Sequence, residues 1–458
     1  MENNKIGNYR WVICGLLFFG TTINYLDRQV LSLLHPILEE EFGWTNSDYG
    51  MITSIFQLSY AFFMLLAGRF VDKLGTKKGY AIALVVWSLG AIIHAYAIPI
   101  GEASVQFLGI LGFGGLSISV TGFIVARLVL GMGESANFPA AIKATAEYFP
   151  KKERALATGI FNSGSNVGAI LAPLTVPWLA HYYGWQSTFV IIGSLGFLWL
   201  VIWLIFYDKP EQQKRLSKEE YTYIQSDTVY DINPVDEKKE KISWLKLLKF
   251  KQTWSYTIAK FLTDGVWWFF LFWLPSYLKN QFNLSGSEIT LPLSVLYTMT
   301  MVGSIGGGWL PMYFMNKNTS PYDGRMRAML IIAFIPLSVF LVQPLSDISY
   351  WIPVLLIGLA ASAHQAWSAN VYTTVSDMFP KAATASVTGI GGMAGGIGGA
   401  LFSFIVGKTF DYYMAIDNLN FGYTLVFSVC AVAYLIAWAI MKLLVPKIKI
   451  IKIEEIRD

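Results

Sequence analysis

Apolar runs of about 20 residues, the length a helix needs to cross a bilayer's hydrocarbon core, recur along the whole chain and alternate with short polar connections. They predict helices over 11–34, 49–71, 79–99, 118–141, 155–178, 186–207, 254–278, 289–314, 327–344, 350–372, 384–408 and 421–445. The expected fold is all-α, a polytopic membrane protein with twelve transmembrane helices. Residues 208–252 interrupt the pattern with ten Lys or Arg and nine Asp or Glu, too much charge for a buried span. They predict a cytoplasmic linker between an N-terminal six-helix bundle, 1–207, and a C-terminal six-helix bundle with a short tail, 253–458. Residues 100–117 are too apolar for an ordinary loop, yet an added span there would reverse the orientation of every later loop. They read as an extended external connection or an interfacial segment.

The two halves repeat. FPKKERALATGIFNSGSNVG from Phe149 and FPKAATASVTGIGGMAGGIG from Phe379 share eight of twenty positions at an offset of 230 residues, and upstream Glu147 matches Asp377 in charge. Parallel six-helix repeats place a substrate site near the membrane midplane between them and suggest alternating access. Small residues gather at matched places, Gly159, Ser163, Gly164, Ser165 and Gly168 in the fifth span and Gly389 to Gly399 in the eleventh. They permit close, sliding helix contacts, although tight packing explains any single one equally well. Gly389, Gly391 and Ala394 also fit G-x-G-x-x-A, but a dinucleotide site needs a strand before the glycines and these sit inside an apolar span.

Charge orients the spans. Lys73, Lys77, Lys78, Lys143, Lys151, Lys152 and Arg154 crowd alternate connections, and no Lys or Arg lies between Arg28 and Arg69, Lys78 and Arg127, or Arg154 and Lys209. Basic residues mark the cytoplasmic side, so both termini are expected there, with the chain integral to the cytoplasmic (inner) membrane. The net charge of +4 follows from this bias and calls for no nucleic-acid partner. With 54% hydrophobic and 14% charged residues and a mean hydropathy of +0.48, an ordinary soluble protein is excluded. Cys14 and Cys430 fall in apolar spans and imply no disulfide framework. Lys5 and Arg10 before an apolar run imitate a secretory signal, but no small-residue cleavage site follows, so the run reads as an uncleaved first span.

Polar residues inside the spans carry the chemistry, because a charged residue at mid-membrane costs about 2.5 to 3.5 kcal/mol and faces a bundle interior or cavity. Asn24, Asp27 and Arg28 are three and four residues apart and share a helix face; Arg127 and Glu134 lie two turns apart on another. Two carboxylates and two arginines thus converge in the first half. An organic anion needs a cation in place of its hydration, and arginine offers a bidentate fit to carboxylate. Arg28 is the first choice for that role, with Arg127 as a partner to Asp27. Proton coupling needs a group that changes protonation as the cavity opens to each side, for which Asp27 and Glu134 are the candidates. Gln57, Asn162, Ser165, Asn166, Gln365 and Asn370 supply neutral groups for hydroxyls, and Trp267, Trp268 and Trp367 supply stacking surfaces; helix bridging and core packing are the competing explanations. Lys260 and Asp264, one turn apart, either neutralise each other or offer a second anion contact. His364 has no partners spaced for a metal, so neither metal nor cofactor is expected, the proton being the coupling ion.

GRFVDKLGTKKGY from Gly68 fits the loop motif of the major facilitator superfamily at Gly68, Asp72, Lys73, Gly75, Lys77 and Lys78. It stands between spans two and three, as in that family, and the resemblance implies a gating role; the second-half counterpart around Gly308 to Arg327 departs from it. NYLDR from Asn24, RLVLGMGES from Arg127 and FPAAIKATAEYFPKKERALATGIFNSGSNVGA from Phe138 resemble the anion:cation symporter family within it. RWVICGLLFFGTTINYLDRQV, KFLTDGVWWFFLFWLP and AHQAWSANVYTTVSDMFP resemble its hexuronate transporter branch. The resemblance covers nearly the whole chain, apart from a longer connection after span three. It implies the major facilitator fold with two pseudo-symmetric halves, proton-coupled uptake of glucuronate or galacturonate, coupling roles for Asp27 and Glu134, and substrate hydrogen bonds from Tyr25 and Tyr60.

The expected partners are a small organic anion and the lipid bilayer, with the chain acting as a monomer. Two alternatives stand beside hexuronate symport. One is transport of another organic acid, such as an aldonate or dicarboxylate; the other, from a different class, is a transporter-like sensor. A sensor would carry an output domain, and neither the linker nor the tail after Leu444 has room for one. An enzyme fits less well, because no nucleophile elbow or metal cluster is present in the sequence.

Overall fold

The computed structural model describes residues 7–112, 115, 117–227, 244–315 and 320–457, and these are helical throughout their ordered elements, without strands. Helix α1 (Tyr9–Phe42) ends where Gly43 turns left-handed at φ 64° and returns its N–H to the Glu39 carbonyl at 2.9 Å. Helix α2 (Asn46–Leu74) opens on a capping box formed by Thr45 and Asp48 and stops at Gly75, whose φ of 81° suits glycine. Helices α3 (Thr76–Ile93) and α4 (Ala97–Ile110) follow, joined by one tight turn at His94–Tyr96, then α5 (Ile118–Glu134), α6 (Asn137–Tyr148) and α7 (Lys151–Phe206). Helices α8 (Lys218–Ile224) and α9 (Trp244–Leu247) belong to the charged linker. The second half holds α10 (Lys251–Phe272), α11 (Leu274–Phe282), α12 (Thr290–Met315), α13 (Pro321–Phe334), α14 (Trp351–Met378), α15 (Lys381–Ala415), α16 (Leu419–Leu444) and the short α17 (Ile453–Arg457).

Among the described residues, nine helical segments are long and apolar enough to cross a membrane. One of them, Leu156–Phe206, breaks at Gly184 (φ 78°) and supplies the fifth and sixth crossings. The first and seventh crossings, α1 and α10 with α11, fall outside that group; they carry Asp27 with Arg28 and Lys260 with Asp264. All twelve predicted spans therefore have a helix.

Of residues 100–117, expected as an extended external connection or an interfacial segment, those up to Ile110 are helical, and 113, 114 and 116 lie outside the described residues. The third crossing continues as helix to Ile110, so that Thr76–Ile110 runs 35 residues, about 52 Å at 1.5 Å per residue, against a hydrocarbon core of about 30 Å. Pro99 falls in the first turn of α4, where a missing N–H costs nothing, and Gly101 and Gly109 keep helical backbone until Gly112 turns left-handed at φ 85°.

The sequence repeat is also a repeat of geometry. Phe149 closes α6 and Phe379 closes α14 in extended backbone, and Pro150 and Pro380 begin the next helices at φ/ψ of −61°/153° and −65°/153°. Within the halves α1 packs on α7 and α10 on α15. Gly164 and Gly168 press on the α1 backbone at Phe18 and Thr22, and Gly398 presses on that of α10 at Phe261.

Between the halves α2 packs on α15 and α7 on α12. Their side-chain bonds gather on the face opposite the Gly68–Lys78 loop. There Asp411 of α15 accepts the Asn46 and Ser47 backbone N–H groups at 2.8 Å each and the Asn46 side-chain amide at 3.1 Å. Lys279 donates to the Pro36 carbonyl at 2.8 Å, His35 bonds Ser276 at 2.5 Å and Thr290 donates to the Pro173 carbonyl at 2.8 Å. On the loop face, Asp72–Lys143 and Arg325–Asp377, each 2.8 Å, stay within one half. The halves are thus closed on the far face. Asp411→Ala is expected to loosen that closure by about 1.5 to 3 kcal/mol, the worth of a charge-assisted hydrogen bond, and to raise far-side labelling of a Ser54→Cys probe at least tenfold. An unchanged labelling rate would show that Asp411 does not hold the face shut.

Candidate functional site

The site is built from four helices. The α1 residues Asn24 and Arg28 are one turn apart, and Arg28 reaches across to Glu134 near the end of α5. Its Nε and Nη2 donate to one Glu134 oxygen at 2.9 and 2.7 Å, and Nη2 also reaches Asn24 Oδ1 at 3.3 Å. Both side chains of the pair are almost wholly enclosed, at 2% and 0% exposure. Four rings surround the guanidinium: Tyr25 at 4.6 Å, Tyr60 at 5.0 Å, Trp268 at 5.3 Å and Phe56 at 5.4 Å to their centroids. Trp268 comes from the second half, so the cage spans the boundary between halves. Aromatic faces attract a cation and exclude water without supplying a counter-charge. Arg28 is therefore neutralised on one edge by Glu134 and covered on its faces by replaceable neutral groups.

Arg127 does not pair with Asp27 as expected. It donates Nη1 and Nη2 to the Arg28 backbone carbonyl at 3.3 and 3.4 Å and lies 5.2 Å from the Phe56 ring, fixing the α1 backbone at the site. Spacing along a helix shows that two residues share a face, but it leaves open which acceptor across the gap is nearer. Both Asp27 carboxylate oxygens are buried with no hydrogen-bond partner among the described residues, as is the second Glu134 oxygen. The two acids thus differ: Glu134 is hydrogen-bonded by Arg28, and Asp27 accepts no hydrogen bond among the described residues.

The second half contributes a matching polar pair. Lys260 and Asp264 of α10 form an ion pair at 2.7 Å, and Lys260 donates to the Tyr372 hydroxyl at 3.1 Å. Tyr25 lies within electrostatic reach of Lys260 and Tyr372. Tyr25 and Tyr60 are half-buried and Tyr372 is exposed, so with the far face closed this wall opens toward the loop face.

The sequence model of the Major Facilitator Superfamily matches residues 17–403. The chain belongs to this superfamily. This major facilitator chain is 30% identical over 443 residues to the hexuronate transporter of Escherichia coli (strain K12), covering 96% of this chain and 95% of that protein. It is 34% identical over 310 residues to the galacturonate transporter of Dickeya chrysanthemi, covering 68% and 84% respectively. The solved D-xylose-proton symporter shares the fold with a TM-score of 0.72 at 15% identity, covering 96% of this chain and all (100%) of that one. A bacterial homolog of the human lysosomal transporter Spinster, in an inward-facing and occupied conformation, also reaches 0.72 at 18% identity, covering 96% and 97%. Fold and relatives alike are those of membrane transporters.

Within this major facilitator fold the remaining candidates separate. Gln57 donates to Ser403 of the other half at 2.9 Å, one turn from Tyr60, and keeps its oxygen unbonded among the described residues. Trp267 packs flat on His364 at 5.1 Å inside the second half; its neighbour Trp268 is the ring on Arg28. Asn370 is occupied by Arg325 and by the Gly307 and Ala366 carbonyls, which makes it a helix bridge. Ser165 bonds the Asn162 carbonyl in its own helix, Asn162 is exposed, and Gln365 is half-buried. Among the described residues, none of these three hydrogen-bonds to the residues of the Arg28 cage. In the superfamily loop, Asp72 pairs with Lys143 and Lys77 with Asp208 at 2.7 Å, Gly75 supplies the positive φ, and Gly68, Lys73 and Lys78 border the same turn. The second half, which lacks the loop pattern, ties α13 to α14 through Arg325–Asp377; at the repeat-related position Glu147 accepts from Thr76 at 2.7 Å. Phe56 and Phe272, the rings over Arg127, were not legible as site residues, since an apolar residue in an apolar span carries no mark.

Proposed function

We propose that this chain imports a hexuronate, glucuronate or galacturonate, together with protons by alternating access. The observation that carries this reading is Arg28, enclosed between the halves by aromatic rings and held by a single carboxylate that a substrate carboxylate can replace. When the substrate takes Arg28, Glu134 loses its partner, and a proton on its carboxyl removes the stranded charge. When the substrate leaves toward the loop face, the proton follows and the Arg28–Glu134 pair re-forms. Asp27, buried beside this exchange with no hydrogen-bond partner among the described residues, is the second acid available to hold a proton. The named relatives support the sugar acid: two of them are hexuronate and galacturonate transporters.

Energetics favour coupling. A monoanion entering an inside-negative cell works against about 2.3 kcal/mol per 100 mV, and one co-transported proton removes that electrical term. The Lys and Arg excess in the loops supports a reading in which the motif face and both termini are cytoplasmic, in an inner-membrane protein that we take to work as a monomer.

The test is a competition panel in proteoliposomes with an inward proton gradient. Unlabelled glucuronate and galacturonate are expected to suppress uptake of labelled glucuronate at concentrations at least tenfold below those of galactonate and glucarate. Galactonate or glucarate as the best competitor would move the assignment to an aldonate or diacid carrier. Binding of the acids without any uptake would support the sensor instead.

A further inference from the structure

The buried ion pair of α10 is not needed to hold Arg28, and a buried pair is weak evidence for stability, since apolar residues of similar size serve as well. Ionisable residues at mid-membrane mark function. Lys260, Asp264 and Trp268 are spaced four residues apart and occupy one face of α10. Trp268 covers Arg28, so Asp264 lies one turn, about 6 Å, further along the same wall, and Lys260 a second turn. Tyr25, whose ring lies 4.6 Å from the Arg28 guanidinium, is within electrostatic reach of Lys260 and Tyr372. A six-carbon acid whose carboxylate meets Arg28 extends toward Asp264 and Lys260.

We propose that Lys260, Asp264 and Tyr372 form a charge-neutral subsite that reads the hydroxyl end of the substrate and makes the carrier select monoanionic over dianionic sugar acids. This rests on the assignment of a sugar acid to the Arg28 site. The ammonium has three protons, of which Asp264 at 2.7 Å and Tyr372 at 3.1 Å engage two. The third proton and the second Asp264 oxygen, which accepts no hydrogen bond among the described residues, offer a donor beside an acceptor. A hydroxyl pair satisfies both at once, whereas a second carboxylate only accepts, gains no net charge from the pair and is repelled by Asp264. The seat is shaped for this: a side chain at Gly395 of α15 would collide with the Asp264 carboxylate. Asp264 is thus the specificity residue, because it cancels a lysine that would otherwise bind a second acid.

The experiment compares a monoacid with a diacid of the same carbon chain, glucuronate against glucarate, as competitors of labelled glucuronate in proteoliposomes. Asp264→Asn exposes the Lys260 charge and is expected to improve glucarate inhibition relative to glucuronate at least tenfold. The double variant Lys260→Gln with Asp264→Asn removes both charges and is expected to keep the wild-type ratio while weakening both acids. An unchanged ratio in Asp264→Asn, or an equal shift in the double variant, overturns the proposal. Should Asp264→Asn transport too slowly, the same ratio is read from ligand-induced thermal shifts of the purified protein. Should the wild type ignore both hexuronates, the hexuronate assignment fails, and the Asp264 ratio is then read with galactonate against galactarate.

Discussion

Arg28→Ala is expected to abolish uptake of labelled glucuronate into proteoliposomes under an inward proton gradient. Arg28 is 2% exposed, donates twice to Glu134 and is covered by rings from α1, α2 and α10, so its guanidinium is a desolvated charge already placed where an anion can displace Glu134. Removing it also strands Glu134, and breaking a buried pair costs about 3 to 5 kcal/mol. A monodisperse elution profile is therefore the companion measurement. Arg28→Lys separates charge from shape: it keeps the positive charge but not the planar fork or the stacking on Tyr25 and Trp268. Its uptake is expected to fall roughly ten- to a hundredfold, equivalent to the about 1.5 to 3 kcal/mol of one charge-assisted hydrogen bond. Wild-type-like transport by Arg28→Ala would sink the site assignment.

The fold was open to reading because lipid leaves few choices. A backbone that must satisfy its own hydrogen bonds in hydrocarbon becomes helix, so each apolar run had one outcome, and all twelve appear. The same rule does not say where the membrane stops, which is why the residues up to Ile110, helical in the structure, read as either an external connection or an interfacial segment. Within one helix, spacing placed Asn24 with Arg28 correctly, and the charged residues inside spans pointed to Glu134. Across helices spacing is silent. It gave Arg127 to Asp27 when the nearer acceptor is the Arg28 carbonyl, and it could not see that Arg325 engages Asn370. Adjacent residues on a helix point about 100° apart, yet composition gave no ground for separating Trp267 from Trp268; packing turned the first to His364 and the second to Arg28.

Glu134→Gln is expected to lose gradient-driven accumulation while keeping most of counterflow exchange. Glutamine retains a carbonyl that accepts from Arg28 in place of the carboxylate at 2.7 Å, so the guanidinium stays in its cage. The variant has no proton to gain or release at this position. Exchange of labelled for unlabelled glucuronate requires only that the loaded carrier reorient, and the Arg28 charge, no longer cancelled, binds the substrate carboxylate at least as tightly as before. Accumulation requires that the proton arrive with the substrate. Without it a monoanion at 100 mV, inside negative, faces about 2.3 kcal/mol, which lowers its equilibrium internal concentration roughly fiftyfold below the external one. Equal loss of exchange and accumulation would instead assign Glu134 a purely structural hold on Arg28. Asp27→Asn sharpens the distinction because Asp27 makes no bond to Arg28: if it loses accumulation while Glu134→Gln keeps it, the coupled proton travels on Asp27, and Glu134 serves as the stand-in for the absent substrate carboxylate.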